Sequence, residues 1–451
     1  MNKIYSKAKF IYYYIVNSIG FYPTLISMTF ALLALVMLYL EVLGISKVLK
    51  DDLPFVIISN SETARLILSS ITTGIISLTV FSFTMVMLVL NQAGSNFTPR
   101  VIPGLISYKS NQRVMGLYLG TLIYTLIIMV NVHSSYYSVP LPGFSIFLAM
   151  CFTIVCLGFF VYFIHSISLS IQIESILESI FEVTRKKLKA EIEEAKEKGG
   201  KSSAVEGGVW IDLKSPKTGY LQSMEEEEVV KLCRKHDVVL CFEQPLGSFF
   251  VEDIPFAQVN KPIEAIDDFT EQLFVHLNFY REERPDVNYL FGFKHITESA
   301  VRALSPSLND PGTCIKAIDY LTALFILRMQ LPDEKVLYDE SGEGRVLFKH
   351  ETFENVLTLS LSPIRLYGKG TNVVIIRLLF LFRSMLVKVS EHPHLKPCLY
   401  NEALLLVNDV DGEVNNAGDR EKINEQLQVL NSMQVLPRPL PLLSVNIPGQ
   451  I

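Results

Sequence analysis

Four stretches of about 20 mostly apolar residues fix what the first third of this chain can be: Tyr22 to Val42, Leu66 to Leu90, Met115 to Val132, and Phe144 to Phe163. Inside a bilayer every backbone N–H and C=O must find its partner within the protein, so runs of this length cross as helices. No span carries Asp, Glu, Lys or Arg at its middle, where an ionisable side chain would be the default mark of a proton or ion relay, and a carboxylate-driven pump is therefore disfavoured. Beyond them charge and apolar residues are mixed, as in a water-facing domain. The reading is a membrane domain followed by one or two aqueous ones. The net charge of -6 argues against nucleic acid as a partner, because phosphate binding needs a basic face.

Lys and Arg are retained on the cytoplasmic side of a membrane. Lys3, Lys7 and Lys9 precede the first span without an acid, Arg100, Lys109 and Arg113 follow the second, and Arg185, Lys186, Lys187 and Lys189 follow the fourth. The loop after the first span is mixed, and the loop from Ser134 to Pro142 has no charge. These charges predict a multi-pass protein of the cytoplasmic (inner) membrane with both termini inside. The first span is longer than the apolar core of about 7 to 15 residues expected of a signal peptide, so it reads as uncleaved. Before it, Ile4 to Tyr14 suits a short helix lying in the interface.

The second span is distinguished by hydroxyls. Ser70, Ser77, Thr84 and Asn91 recur every seven residues, and Ser69 and Thr73 share their arc. Such a face either packs on another helix through small residues and hydroxyl hydrogen bonds, or lines an aqueous path in which hydroxyls replace a solute's water. From Phe144 to about Lys198 there is no proline and a single glycine, Gly158. A continuous helix of that length would reach roughly 80 Å, out of the membrane. Its apolar positions beyond the bilayer, Leu169, Ile173, Ile176, Ile180 and Val183, form a seam that must be buried on the chain's own aqueous domain or on a second copy. The balance leans slightly to a homo-oligomer.

The fold class expected is thus a four-helix membrane domain with a cytoplasmic α+β domain, in which a small β-rich module precedes a helical region. Residues 1–165 form the membrane domain, 166–200 a helical stalk, 201–260 the β-rich module, 261–435 the helical region and 436–451 an extended or flexible tail. Strand-like runs are Val209 to Leu213, Gly219 to Gln222, Val238 to Phe242 and Phe249 to Val251, with a helix from Met224 to His236. Further helices are expected over Phe269 to Arg281, Val287 to Ala303, Gly312 to Met329 and Val373 to Val389.

Motifs for chemistry fail on inspection. Gly368, Gly370 and Thr371 lack the Gly-Lys-Ser/Thr end of a phosphate loop, Asp409 and Asp411 lack the flanking ligands of a calcium loop, and the eight histidines have no metal spacing. No catalytic set, cofactor or metal is expected, and the reading leans away from an enzyme. The segment Arg302 to Pro311, RALSPSLNDP, is more specified than a loop requires. Asp310 and Pro311 suit the cap and first position of a helix. Alternatively, Arg302, Ser305, Asn309 and Asp310 gather polar groups around a ligand at that helix start.

Two runs carry a resemblance. VFSFTMVMLVLNQAGSNFTPRVI, Val80 to Ile102, with LYLGTLIYTLI after it, and ALSPSLNDP, with GYLQ at Gly219, resemble the bacterial predicted membrane proteins called domain of unknown function 2254. The chain departs from the family pattern at Gly94 to Arg100 and in the SPSLNDP core. The resemblance implies a bacterial inner-membrane protein and implies no activity. Two functions fit the residues: an oligomeric channel-like or transport protein passing a small ion or solute along the hydroxyl face, with a regulatory cytoplasmic domain, or a membrane-anchored sensor or scaffold whose cytoplasmic domain binds a ligand or protein.

Overall fold

The computed structural model describes residues 20–46, 58, 60–96, 109–132, 141–170, 173–198, 209–279, 283–349 and 351–444. The chain divides into two compact units whose main boundary falls between residues 172 and 173, with Asn96 at the end of the second long helix also assigned to the second unit. The first holds helices α1 (Phe21–Val42), α2 (Ser61–Asn96), α3 (Lys109–Val130) and α4 (Gly143–Ser170). All four are long and apolar enough to cross a membrane, matching the four spans read from the sequence.

Within lipid there is no hydrophobic drive between helices, so close backbone approach and polar pairing hold them. Helix α3 meets α1 at Gly116 and Gly120. A Cβ on Gly116 would lie 2.8 Å from Ile26 Cδ1, and one on Gly120 would lie 2.9 Å from Phe30 Cγ. Glu41, near the end of α1, caps α4: its Oε1 accepts from Ser145 N at 2.9 Å and from Ser145 Oγ at 3.0 Å. A carboxylate at that helix start is also favoured by the helix dipole. Arg65 on α2 donates to the Val132 carbonyl beyond the end of α3 at 2.9 Å, the complementary arrangement. Buried Tyr118, Tyr124 and Phe163 fill the bundle core.

The second unit begins with α5 (Ile173–Lys198), followed by β1 (Ile211–Lys214), β2 (Gly219–Met224), α6 (Glu226–Lys235), β3 (Leu240–Phe242), β4 (Phe249–Phe250) and β5 (Pro255–Val259). Then come α7 (Ile266–Val275), β6 (Leu277–Phe279), α8 (Tyr289–Ala303), α9 (Pro311–Arg328), β7 (Glu334–Tyr338) and β8 (Gly344–Lys349). The remaining helices are α10 (Phe353–Gly368), α11 (Asn372–Lys388), α12 (Lys396–Glu413) and α13 (Ala417–Ser432). A five-stranded sheet runs β1-β5-β3-β8-β7 and a three-stranded one β4-β2-β6. All pairs are antiparallel except β3 with β8. Phe242 and Phe348 stack across that parallel pair with ring centroids 4.5 Å apart. Side chains close the helix starts where the sequence provides caps: Asn288, Asp310, Thr352 and Asn416 each accept a backbone N–H of the first turn.

Several expectations change. The five-stranded sheet takes β7 and β8 from the region expected to be helical, so the β-rich part is not confined to residues 201–260. The helix expected over Phe269 to Arg281 stops at Val275, because Leu277–Phe279 pairs with β2 as a strand. The seam beyond the fourth span is covered in part: Ile176 and Ile180 are buried as α5 packs along α8 and α9, Val183 is 38% exposed, and the side chains of Leu169 and Ile173 lie outside the described residues. Residues 436–444 are pinned, with Leu440 N donating to Asn431 Oδ1 and Leu443 N to Asn424 Oδ1; the rest of the expected tail lies outside the described residues. The interfacial helix before the first span, and the continuity of the helix through residues 171–172, lie outside the described residues.

Candidate functional site

Helix α8 lines a concavity of the second unit. It is seated on α5 by Gly292, where a Cβ would lie 1.8 Å from Thr184 Oγ1, so only glycine permits the approach. At its start Asn288 does two tasks: Oδ1 accepts from Leu290 N at 3.0 Å, and Nδ2 donates to the Leu246 carbonyl at 2.9 Å. That second bond fixes the turn from Pro245 to Ser248 against the helix. Gly247 in this turn has φ of +100°, which favours glycine, and a Cβ there would come within 3.1 Å of Asn288 Nδ2.

Between α8, α10 and this turn lies a groove of about 770 Å³. Its apolar walls include Phe291 and Val301 of α8 and Val356, Leu359 and Pro363 of α10. Lys294, Glu298 and Arg302 also line it, four residues apart, and such spacing aligns them on one side of the helix. Lys294 Nζ is held by Glu283 Oε1 at 2.8 Å. The dimensions and lining are those of sites that take drug-sized molecules, which fill roughly 300–1,000 Å³.

A polar cleft of about 250 Å³ shares Leu246, Asn288, Leu290 and Glu351 with the groove. Here Lys335 Nζ bridges Glu226 Oε1 at 2.8 Å and Glu194 Oε2 at 3.2 Å. Burial acts to lower the pKa of Lys335, but Glu226 and Glu194 outweigh it and hold it above its ordinary value. Burial raises the Glu191 carboxyl, against the opposing pull of Lys187 at 3.2 Å.

The four residues singled out in RALSPSLNDP divide into two pairs. Arg302 and Ser305 line the groove. Asn309 and Asp310 build the start of α9: Asn309 takes a left-handed φ of 45°, and Asp310 accepts from Thr313 N at 3.1 Å and Thr313 Oγ1 at 2.6 Å. Asp310 N also donates to the Ala303 carbonyl at 2.8 Å, closing the turn. The polar residues of the second span lie elsewhere. Ser69, Ser70, Thr73, Ser77, Thr84 and Asn91 are all exposed on the first unit, while Ala64, Leu68, Ile71 and Ile75 turn inward. The hydroxyls of Thr73, Ser77 and Thr84 bond back to carbonyls of their own helix at 2.9 to 3.0 Å. Among the described residues, nothing covers this face.

The sequence reading missed the α10 wall and the charges at 294 and 298. A signal existed. Helix α10 carries Leu359, Leu366 and Tyr367 outside its buried stripe of Val356, Leu357, Leu361 and Ile364, so it is apolar on more faces than one buried contact needs.

Replacing Asp310 by Ala is expected to cost about 1 kcal/mol, the usual worth of such a cap. Thr313 holds the Asp310 carboxyl below its ordinary value. The difference between wild type and variant should therefore be complete above the ordinary aspartate pKa of about 3.9 and vanish as pH falls through the lower folded value. Denaturant unfolding across that range measures it.

Comparison with known proteins yields relatives without assigned activity. The chain is 24% identical over 373 residues to the uncharacterized protein Rv1290c of Mycobacterium tuberculosis, covering 80% of this chain and 70% of the relative. The uncharacterized protein Mb1321c of Mycobacterium bovis matches at the same identity and coverage. No solved structure matches the chain. The family model described as "Predicted membrane protein (DUF2254)" matches residues 16–384, and with its four membrane-length helices the chain belongs to that family.

Proposed function

We propose that this protein is a membrane-anchored ligand-binding protein, a sensor rather than an enzyme, whose second unit takes an amphipathic small molecule in the groove between α8 and α10. The observation that carries this reading is the groove itself, about 770 Å³ with apolar walls and the row Lys294, Glu298 and Arg302 along one side. An apolar body would lie against Val301, Val356 and Leu359, and a polar end against the charged row. In this reading the spans anchor the protein in the bacterial cytoplasmic membrane with both termini inside, as the loop charges favour, and the second unit faces the cytoplasm.

Leu359 is 67% exposed, so substituting it should leave the fold intact. A fragment spanning residues 173–451, which keeps α5 with its buried Ile176 and Leu177, is expected to bind a dansyl-labelled undecanoate probe saturably in fluorescence titration. Leu359→Glu and Val301→Trp should each weaken binding at least about tenfold, or ~1.4 kcal/mol. Absence of saturable binding, or equal binding by all three proteins, contradicts the reading.

A second reading rests on a different observation. The hydroxyl face of α2 is exposed along the helix, so in a homo-oligomer it would be available to line a path for a small ion or solute. Ser77→Leu and Thr84→Leu should then reduce potassium or chloride flux in proteoliposomes without unfolding the protein. Unchanged flux in both variants sinks this channel-like version.

A further inference from the structure

The first unit carries a cavity of its own, remote in sequence from the groove and built differently. It is a crevice of about 470 Å³ formed by the start of α1, the start of α3 and the end of α4. Ser110 near the start of α3 meets Tyr162 near the end of α4, and Arg113 meets Tyr22 at the start of α1, so these three ends lie together. The deeper walls are apolar, with Ile26, Val114, Leu117, Val155 and Phe159. The rim is polar and aromatic: Ser110 Oγ and Tyr162 OH are 2.9 Å apart, and the Arg113 guanidinium sits 5.6 Å from the centroid of the Tyr22 ring. Tyrosines at this position match the aromatic belt of a membrane interface.

The geometry points to a binding site for one anionic phospholipid, with its phosphate at Arg113, Ser110 and Tyr162 and part of an acyl chain in the crevice. Three features select this occupant. Arg113 is exposed and, among the described residues, has no carboxylate partner, whereas its planar fork suits a phosphate. The crevice lies between helices that meet lipid, where an unfilled apolar wall forfeits dispersion contacts that an acyl chain restores. None of the lining side chains is acidic, so the ammonium of a zwitterionic headgroup finds no counter-charge there, while an anionic headgroup leaves none to satisfy. A free phosphate could use the rim but would leave the apolar walls unfilled.

The test uses the full-length protein in detergent supplied with equal amounts of phosphatidylglycerol and phosphatidylcholine, and counts retained lipids by native mass spectrometry. Wild type should retain phosphatidylglycerol in preference by about fivefold, the effect of one basic side chain at a membrane surface. Arg113→Gln should bring the ratio near parity, and Arg113→Lys should keep it. Val155→Trp, at a position 45% exposed and so tolerant of change, should lower retention of phosphatidylglycerol by filling the crevice. Short-chain phosphatidylglycerol should displace the bound lipid, and excess inorganic phosphate should not. Equal retention of both lipids by wild type, a preference unaltered in Arg113→Gln, retention unaltered in Val155→Trp, or displacement by phosphate alone would each overturn the proposal.

Discussion

The contact between Gly292 and Thr184 is the constraint on which the second unit depends. Helix α8 lies so close to α5 there that a single added carbon would meet Thr184 Oγ1 at 1.8 Å. Interiors packed to crystal-like density do not absorb such an overlap without moving backbone. With α8 set in place by that approach, its other features follow. Its start holds the turn at Leu246 through Asn288, one side forms a wall of the groove with α10, and its end leads through Asn309 into the cap of α9. The helix that follows the fourth span in sequence is thus a core element of the second unit, with Leu188 and Ile192 buried as well as Ile176.

The two units solve the same packing problem in different solvents. In the membrane unit, Gly116 and Gly120 bring α1 and α3 together, and polar side chains are spent at helix ends, Glu41 on α4 and Arg65 on α3. In the second unit, apolar burial dominates and the polar groups form cross-links. Arg328, fully buried, donates to the carbonyls of Leu331 and Glu351 and to Asp333, tying the end of α9 to the start of α10. The buried guanidinium is tolerated because its two terminal nitrogens are bonded, Nη1 to Leu331 and Nη2 to Asp333 and Glu351. Glu351, whose carbonyl takes one of those bonds, also lines the groove, so this cross-link sets one edge of the candidate site.

How much was legible in the sequence follows from which interactions are local. The spans were plain because lipid imposes a length and a polarity on each of them. The start of α9 was marked by Asp310 with Pro311, since a cap is read within four residues. Strand β8 escaped because a short run between long helices is fixed by a distant partner, β3, through Leu240 with Val346 and Phe242 with Phe348, and β7 joins the sheet only through β8. In the RALSPSLNDP segment the cap at Asp310 could be inferred, but not that Arg302 and Ser305 turn to a groove whose other wall is some fifty residues downstream, roughly the separation of Ser305 from Leu359. The hydroxyl periodicity of α2 was visible, yet periodicity alone does not say whether a face turns to the bundle or away; the inward side proved to be Leu68, Ile71 and Ile75.

The central claim is that the groove between α8 and α10 holds an amphipathic small molecule. The most direct measurement is mass-spectrometric identification of small molecules that co-purify with the full-length protein, compared between wild type and a variant with the groove obstructed at Val301. The account predicts an amphipathic molecule that accompanies wild type and is depleted from the obstructed variant while bulk membrane lipids are unchanged. Identical sets of small molecules from two equally folded proteins would contradict it.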